Sequence, residues 1–148
     1  MPTVMICPEA QLHKPAPYVD ILQEGGFDII YPKDPTFTRG HFSDNDTIDV
    51  LKSCDAVVGG GEVFSESVLE SLPKLRVIAR SGVGYDKVNV PAATRLDKVL
   101  TITPNGNYDA VAEHAISLLF AITKNTIAND HTTRNLSLIH ISEPTRRY

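Results

Sequence analysis

Tryptophan is absent from this chain, and aromatic residues of all kinds make up 7% of it. Cysteine occurs twice, at Cys7 and Cys54, with no CxxC pair and no Cys/His cluster at zinc-finger spacing. That excludes a disulfide scaffold and a structural zinc site. Each cysteine adjoins an apolar run, so both read as buried thiols, and a reducing, cytoplasmic setting follows. Basic charge is not in excess. Lys plus Arg number 14 against 18 Asp plus Glu, a formal net charge of −4. Nothing in that balance draws the chain to nucleic acid or to an anionic membrane. No apolar run is long enough to span a bilayer, and the N-terminus lacks the charged and apolar regions of a signal peptide. Motifs of nucleophilic catalysis are missing too. There is no GxSxG elbow and no Ser-His-Asp or Cys-His arrangement. His13, His41, His131 and His140 have no partner at useful spacing, and His114 reads as a structural helical histidine.

What is present is a core. Hydrophobic residues are 42% of the 148, enough for one packed domain of ordinary size. Short apolar runs alternate with helical patterns. Thr3–Cys7, Phe27–Tyr31, Ala56–Gly59, Leu75–Ala79 and Val99–Ile102 read as strands. Tyr18–Glu24 reads as a helix stopped by Gly25-Gly26, and Pro32 to Phe42 as a loop. Asp44 or Asp46 is expected to cap a short helix running to Lys52, and Ser65 to cap Glu66–Leu72 before Pro73 ends it. This alternation predicts an α/β fold: a parallel sheet flanked by helices, with right-handed crossovers.

The longest helical pattern comes late, from Asn107 to Ile122, with Asn107 as its expected cap. From Ala115 to Ile122 only Ser117 is polar. That is wider than one apolar stripe, so another domain or subunit is expected to cover this helix. From Asn125 to Tyr148 no period is sustained, and a tail without regular structure is expected there.

Two glycine clusters follow predicted strands. Gly59-Gly60-Gly61 and Gly82-Val83-Gly84 each fail GxGxxG, ending at Phe64 and Lys87, and no P-loop exists. Each can be a plain turn. Each can equally be a place where backbone N–H groups approach an anion, because open α/β sheets bind ligands beyond the carboxyl ends of their strands. Asp86 reads as a turn or cap residue.

Taken together, Leu75–Arg80, Ser81-Gly82-Val83-Gly84-Tyr85-Asp86, Ala92-Ala93-Thr94-Arg95, Thr103-Pro104 and Asn107 through Val111-Ala112-Glu113-His114 resemble the D-isomer-specific 2-hydroxyacid dehydrogenases, notably the phosphoglycerate dehydrogenase branch. The resemblance implies a flavodoxin-like substrate domain over 1–103, the first helix of an NAD-binding domain over 104–124, and a non-native or disordered tail over 125–148. It implies hydride transfer between NAD and a small 2-hydroxy or 2-oxo acid. Ser81, Gly82, Val83 and Gly84 would hold the substrate carboxylate, Val83 would also approach the nicotinamide, and Asn107 would border the substrate. The long helix would serve between domains and in a homodimer. Lys87 and Asn89 stand where the family often has Asn and Asp, and Asp97 where Gly is common. Asp tolerates the left-handed conformation better than most residues, so that turn can survive.

The family's glycine loop and its catalytic Arg, Glu and His have no counterpart in these residues. The chain is therefore expected to be an N-terminal fragment of such an enzyme; the rival reading is a free-standing flavodoxin-like module that captures a small carboxylate. Leu136 to Arg146 resembles the translation of a synthetic sequencing adapter. Without a base for the hydroxyl proton or a cation for the carbonyl, the chain should not turn over. The expected outcome is no NADH oxidation with hydroxypyruvate, glyoxylate or pyruvate; a rate that scales with purified chain would refute it.

Overall fold

The structure is a computed structural model and describes residues 1–135. Contacts divide the chain into two compact units, Met1–Gly106 and Asn107–Tyr148. The first unit holds a five-stranded, wholly parallel sheet in the order β2-β1-β3-β4-β5. The strands are β1 (Thr3–Ile6), β2 (Asp28–Ile30), β3 (Ala56–Gly59), β4 (Val77–Arg80) and β5 (Val99–Thr101). The order reverses between β1 and β3, the flavodoxin-like switch point. Predicted strands and observed ones agree in place, with ends differing by one or two residues, as strand ends do.

Pairing fixes which side chains share a face. Met5, Val57, Ile78 and Leu100 are neighbours across β1, β3, β4 and β5. This row joins the buried core with Leu51 of α2 (Asp44–Leu51), Val68 and Leu69 of α3 (Glu66–Ser71), and Ala92 and Ala93 of α4 (Val90–Arg95). On the opposite face Ile6, Val58, Ala79 and Thr101 form the matching row, flanked by α1 (Pro17–Glu24). Cover there is thinner toward β5, where Val99 is 55% exposed.

The helix ends follow side-chain chemistry. α1 starts at Pro17 and stops at Gly25, with Gly26 at a φ of 75° and its N–H donating to the Gln23 carbonyl. The cap of α2 is a correction. Ser43, rather than Asp44 or Asp46, accepts from the Asp46 N–H at 3.2 Å, and its hydroxyl donates back to the Asp46 carboxylate. Asp46 is thus the third-position partner of a reciprocal cap. Asp44 turns instead to α3, where its carboxylate accepts from the Ser65 and Ser67 hydroxyls. Ser65 caps α3 as expected, accepting from the Val68 N–H. The sequence reading missed α4, although Asn89-Val90-Pro91 carried the signal. Asn89 accepts from the Ala92 N–H at 3.0 Å, and Pro91 lies in the first turn. A 3₁₀ turn, Pro35–Arg39, occupies the expected loop.

Both cysteines are buried, as expected. Burial pushes the Cys7 thiol well up, and the nearby Glu62 carboxylate adds to it. Asp97 does adopt a left-handed backbone, with φ of 51°. The next residue, Lys98, is buried, and its ammonium donates to the Leu72 and Leu75 carbonyls at 2.7 and 2.8 Å. It thereby ties the end of α3 to the start of β5.

In the second unit α5 (Tyr108–Thr123) contains no buried residue, and Leu119, Phe120 and Ile122 are exposed. Asn107 occupies its cap position, but its side chain makes no capping hydrogen bond. The expected structureless tail is corrected over α6 (Thr126–Asn135). That helix is held by local polar pairs, Arg134 with Asp130 at 2.9 Å and the Asn135 amide on the His131 carbonyl, so an apolar period could not reveal it. The adapter-like stretch from Leu136 lies outside the described residues.

Replacing Lys98 with Met strands the buried Leu75 carbonyl and leaves the Leu72 carbonyl with the Leu75 N–H alone. Stability should fall by about 2–3 kcal/mol. Urea denaturation of wild type and Lys98→Met gives the measurement, and coincident midpoints would show that the ammonium is dispensable.

Candidate functional site

All five strands run the same way, so their carboxyl ends share one edge, and both glycine clusters lie there. The chain treats the two clusters in opposite ways.

The first is filled from within. Gly60 N–H donates to Glu62 Oε2 at 2.6 Å, and Gly61 N–H donates to the Thr38 carbonyl at 2.8 Å. A β-carbon on Gly60 would lie 2.0 Å from Thr38 Oγ1, and one on Gly61 2.4 Å from the Thr38 carbonyl oxygen. These glycines exist so that the Pro35–Arg39 turn can press against them. Arg39 is held in turn by Glu9 at 3.0 Å, and the Lys87 ammonium donates to the Gly61 carbonyl at 3.0 Å. The Glu62 carboxylate itself occupies the anion position. It is 1% exposed, and burial raises its pKa above the ordinary glutamate value, against the lowering effect of the backbone donors, Thr38 and the Arg80 charge.

The second cluster is open. The amides of Gly82, Val83 and Gly84 donate to no protein acceptor among the described residues. The carbonyls of Gly82 and Gly84, by contrast, are engaged. Gly82 O accepts from the Thr103 N–H at 3.0 Å, and Gly84 O accepts from Arg80 Nε at 3.2 Å. A β-carbon on Gly82 would meet nothing within 4 Å, and neither Gly82 nor Gly84 has a positive φ. Neither the local backbone nor a neighbouring atom therefore demands glycine at Gly82. The Ser81 hydroxyl is held by Gln11 Nε2 at 2.9 Å. A cleft of about 300 Å³ adjoins, lined among others by Gln11, Tyr18, Arg80, Ser81 and Thr103. Val83 and Tyr85 are each 53% exposed beside it.

Successive unpaired N–H groups at a strand end make an anion-binding concavity. The described residues offer little beyond that. No group of three metal-ligating side chains occurs among them, and no helix among them is long and apolar enough to cross a membrane. A dinucleotide has no phosphate loop to sit on, since the first cluster is closed by Glu62 and the second opens toward no GxGxxG helix. Of the residues singled out in the sequence, the structure brings Ser81, Gly82, Val83 and Gly84 together on one turn, while Asn107 begins the second unit. Sequence reasoning missed Gln11, Thr38, Glu62 and Arg80. Glu62 directly after three glycines was the one visible hint.

This is a parallel α/β domain with a glycine turn at the carboxyl end of β4 whose amides meet no protein acceptor among the described residues. Residues 11–139 match the family described as D-isomer specific 2-hydroxyacid dehydrogenase, catalytic domain, and the chain belongs to that family. It is 31% identical over 106 residues to a D-3-phosphoglycerate dehydrogenase of Synechocystis sp., an alignment covering 71% of this chain and 19% of the relative. It is 35% identical over 89 residues to a glyoxylate reductase of Pyrococcus furiosus, covering 60% of this chain and 26% of the relative. Its fold matches the NAD+-bound 3-phosphoglycerate dehydrogenase of Entamoeba histolytica with a TM-score of 0.63 at 23% identity, over 80% of this chain and 38% of that one. The chain thus spans about a fifth to a quarter of the length of these curated relatives.

Because burial raises the Glu62 pKa, the folded state binds its proton more tightly than the unfolded state does. The stability this confers is complete below the unfolded value of about 4.3. It is lost as pH rises through the folded value. Glu62→Gln, which cannot ionise, should therefore gain on wild type as pH rises across that window. Melting curves from pH 4 upward at roughly half-unit steps test this; a constant gap would contradict it.

Proposed function

We propose that this chain is the substrate-holding part of a nicotinamide-dependent dehydrogenase acting on a small 2-hydroxy or 2-oxo acid. The observation that carries the reading is the turn at Gly82–Gly84: free amides, tethered carbonyls and no internal reason for Gly82. A carboxylate placed there would accept charge-assisted hydrogen bonds, each worth about 1.5–3 kcal/mol. Ser81, fixed by Gln11, would border the same group. We assign Asn107 a place beside the substrate and Val83 an apolar contact with the nicotinamide ring, in keeping with its exposed side chain.

NAD supplies the hydride acceptor in such a reaction. The described residues of this chain do not fit the dinucleotide phosphates. What they do is bind and orient: the turn fixes the carboxylate, and that fixes the neighbouring C2 relative to whatever reacts with it. We further assign residues 1–103 to the substrate domain and 104–124 to the start of the NAD-binding domain. The exposed apolar residues of α5 suit a homodimer of the full-length protein. Free buried cysteines and the net charge of −4 suit a cytoplasmic protein without nucleic-acid or membrane partners.

Gly82→Ala is the decisive substitution, because the fold has room for the methyl group and the bound carboxylate would not. It is to be made in an enzyme that carries this segment together with its NAD-binding half. kcat/KM for glyoxylate or hydroxypyruvate should fall at least about tenfold, or 1.4 kcal/mol. The melting temperature should hold, since removing a glycine restricts the unfolded chain. Unchanged kcat/KM in the folded variant would leave the turn as a turn only.

A further inference from the structure

The turn is braced from behind, and the brace is built from charges. β4 ends at Arg80, whose ladder partner is Gly59 on β3. Its guanidinium Nε reaches forward to the Gly84 carbonyl at 3.2 Å, closing the turn. Its Nη1 is buried without a partner, and so is Oε1 of Glu62. Glu62 folds back over the same Gly59: a β-carbon there would stand 3.0 Å from Glu62 Oε2. Gly59 thus lets a buried carboxylate lie beside the strand end that carries Arg80. The two groups form no contact ion pair, yet the Arg80 charge still bears on Glu62. The other cations of this edge are committed elsewhere, Arg39 to Glu9 and Lys87 to the Gly61 carbonyl.

We propose that Arg80 is a positioning residue for the carboxylate-holding turn, and that Glu62 supplies its buried counter-charge; this rests on the reading of Gly82–Gly84 given above. By holding the Gly84 carbonyl, Arg80 keeps that acceptor turned to the protein, while Thr103 does the same for Gly82. The free amides between them are then arranged before any ligand arrives, and preorganisation of this kind strengthens binding without a new contact.

The test uses the 148-residue chain, labelled with ¹⁵N, and glyoxylate as the probe. In Arg80→Met the Gly82, Val83 and Gly84 amide resonances should move without any glyoxylate present. Glyoxylate affinity should fall at least about tenfold, the scale of one lost preorganising contact. Arg80→Lys, which keeps a donor, should recover to within about threefold of wild type, and Glu62→Gln should give a smaller loss with the fold intact. A purely structural role for Arg80 would change stability while leaving affinity and the three amides as they are, and that result overturns the proposal. If Arg80→Met does not fold, Glu62→Gln carries the comparison, and wild-type amide positions and affinity in it overturn the proposal. Should wild type show no glyoxylate response at these amides, the functional reading fails. The brace is then judged by the unliganded amide positions alone, displaced in support of it or unmoved against it.

Discussion

Parallel pairing brings the carboxyl end of every strand in a sheet to the same edge, where the chain runs out of ladder partners. In this chain that one constraint gathers Cys7, Gly59 to Glu62, Arg80 to Gly84 and Thr101 to Thr103 along a single rim. A buried backbone N–H needs an acceptor, so each strand end has to be resolved. The chain resolves β3 with its own acceptors, Glu62 and the Thr38 carbonyl. At β4 it satisfies the Gly82 and Gly84 carbonyls and leaves the amides of Gly82, Val83 and Gly84 without a protein acceptor among the described residues. The asymmetry between these two strand ends leaves open amides at one and a closed surface at the other.

Closing the first cluster has its own cost. Burying a carboxylate disfavours its charged form, and Glu62 shows this in its raised pKa. A closed loop could be built more simply with apolar side chains. What the charge adds is a field beside Arg80, whose guanidinium would otherwise be half-buried with nothing opposite it. The glycines at Gly59–Gly61 are therefore packing residues in the strict sense. They admit Thr38 and the Glu62 carboxylate at distances no side chain would allow.

Much of this was legible beforehand. The strands announced themselves because each is a short apolar run bounded by turn residues, and a parallel sheet buried on its faces needs such runs. The Ser65 cap follows from local chemistry that any reader of sequence can apply, while the left-handed Asp97 was reached through the family resemblance, which puts Gly at that position. The α2 cap did not, because all four residues Ser43-Asp44-Asn45-Asp46 are of capping type, and Ser65 and Ser67 draw Asp44 away to α3. α4 hid because its six residues are too few to show a period. α6 hid because its helix rests on charge pairs rather than on an apolar stripe. In the candidate site the glycine turn was visible and its supports were not. Gln11 and Thr38 reach the edge from loops distant in sequence, and no spacing rule links them to Ser81 or Gly61.

The two glycine clusters looked alike in sequence, and their difference carries the strongest lesson about glycine. A glycine can answer to the backbone, to a neighbour or to a ligand. Gly26 and Gly40 answer to the backbone, since both have positive φ. Gly60 and Gly61 answer to a neighbour, since Thr38 fills the space a side chain would need. Gly82 answers to neither: its φ is ordinary and its surroundings are empty. Neither of those reasons accounts for it. On the proposed reading it answers to a ligand: the adjacent amides are donors without a protein acceptor among the described residues, and a carboxylate is the small acceptor that a 2-hydroxy acid carries.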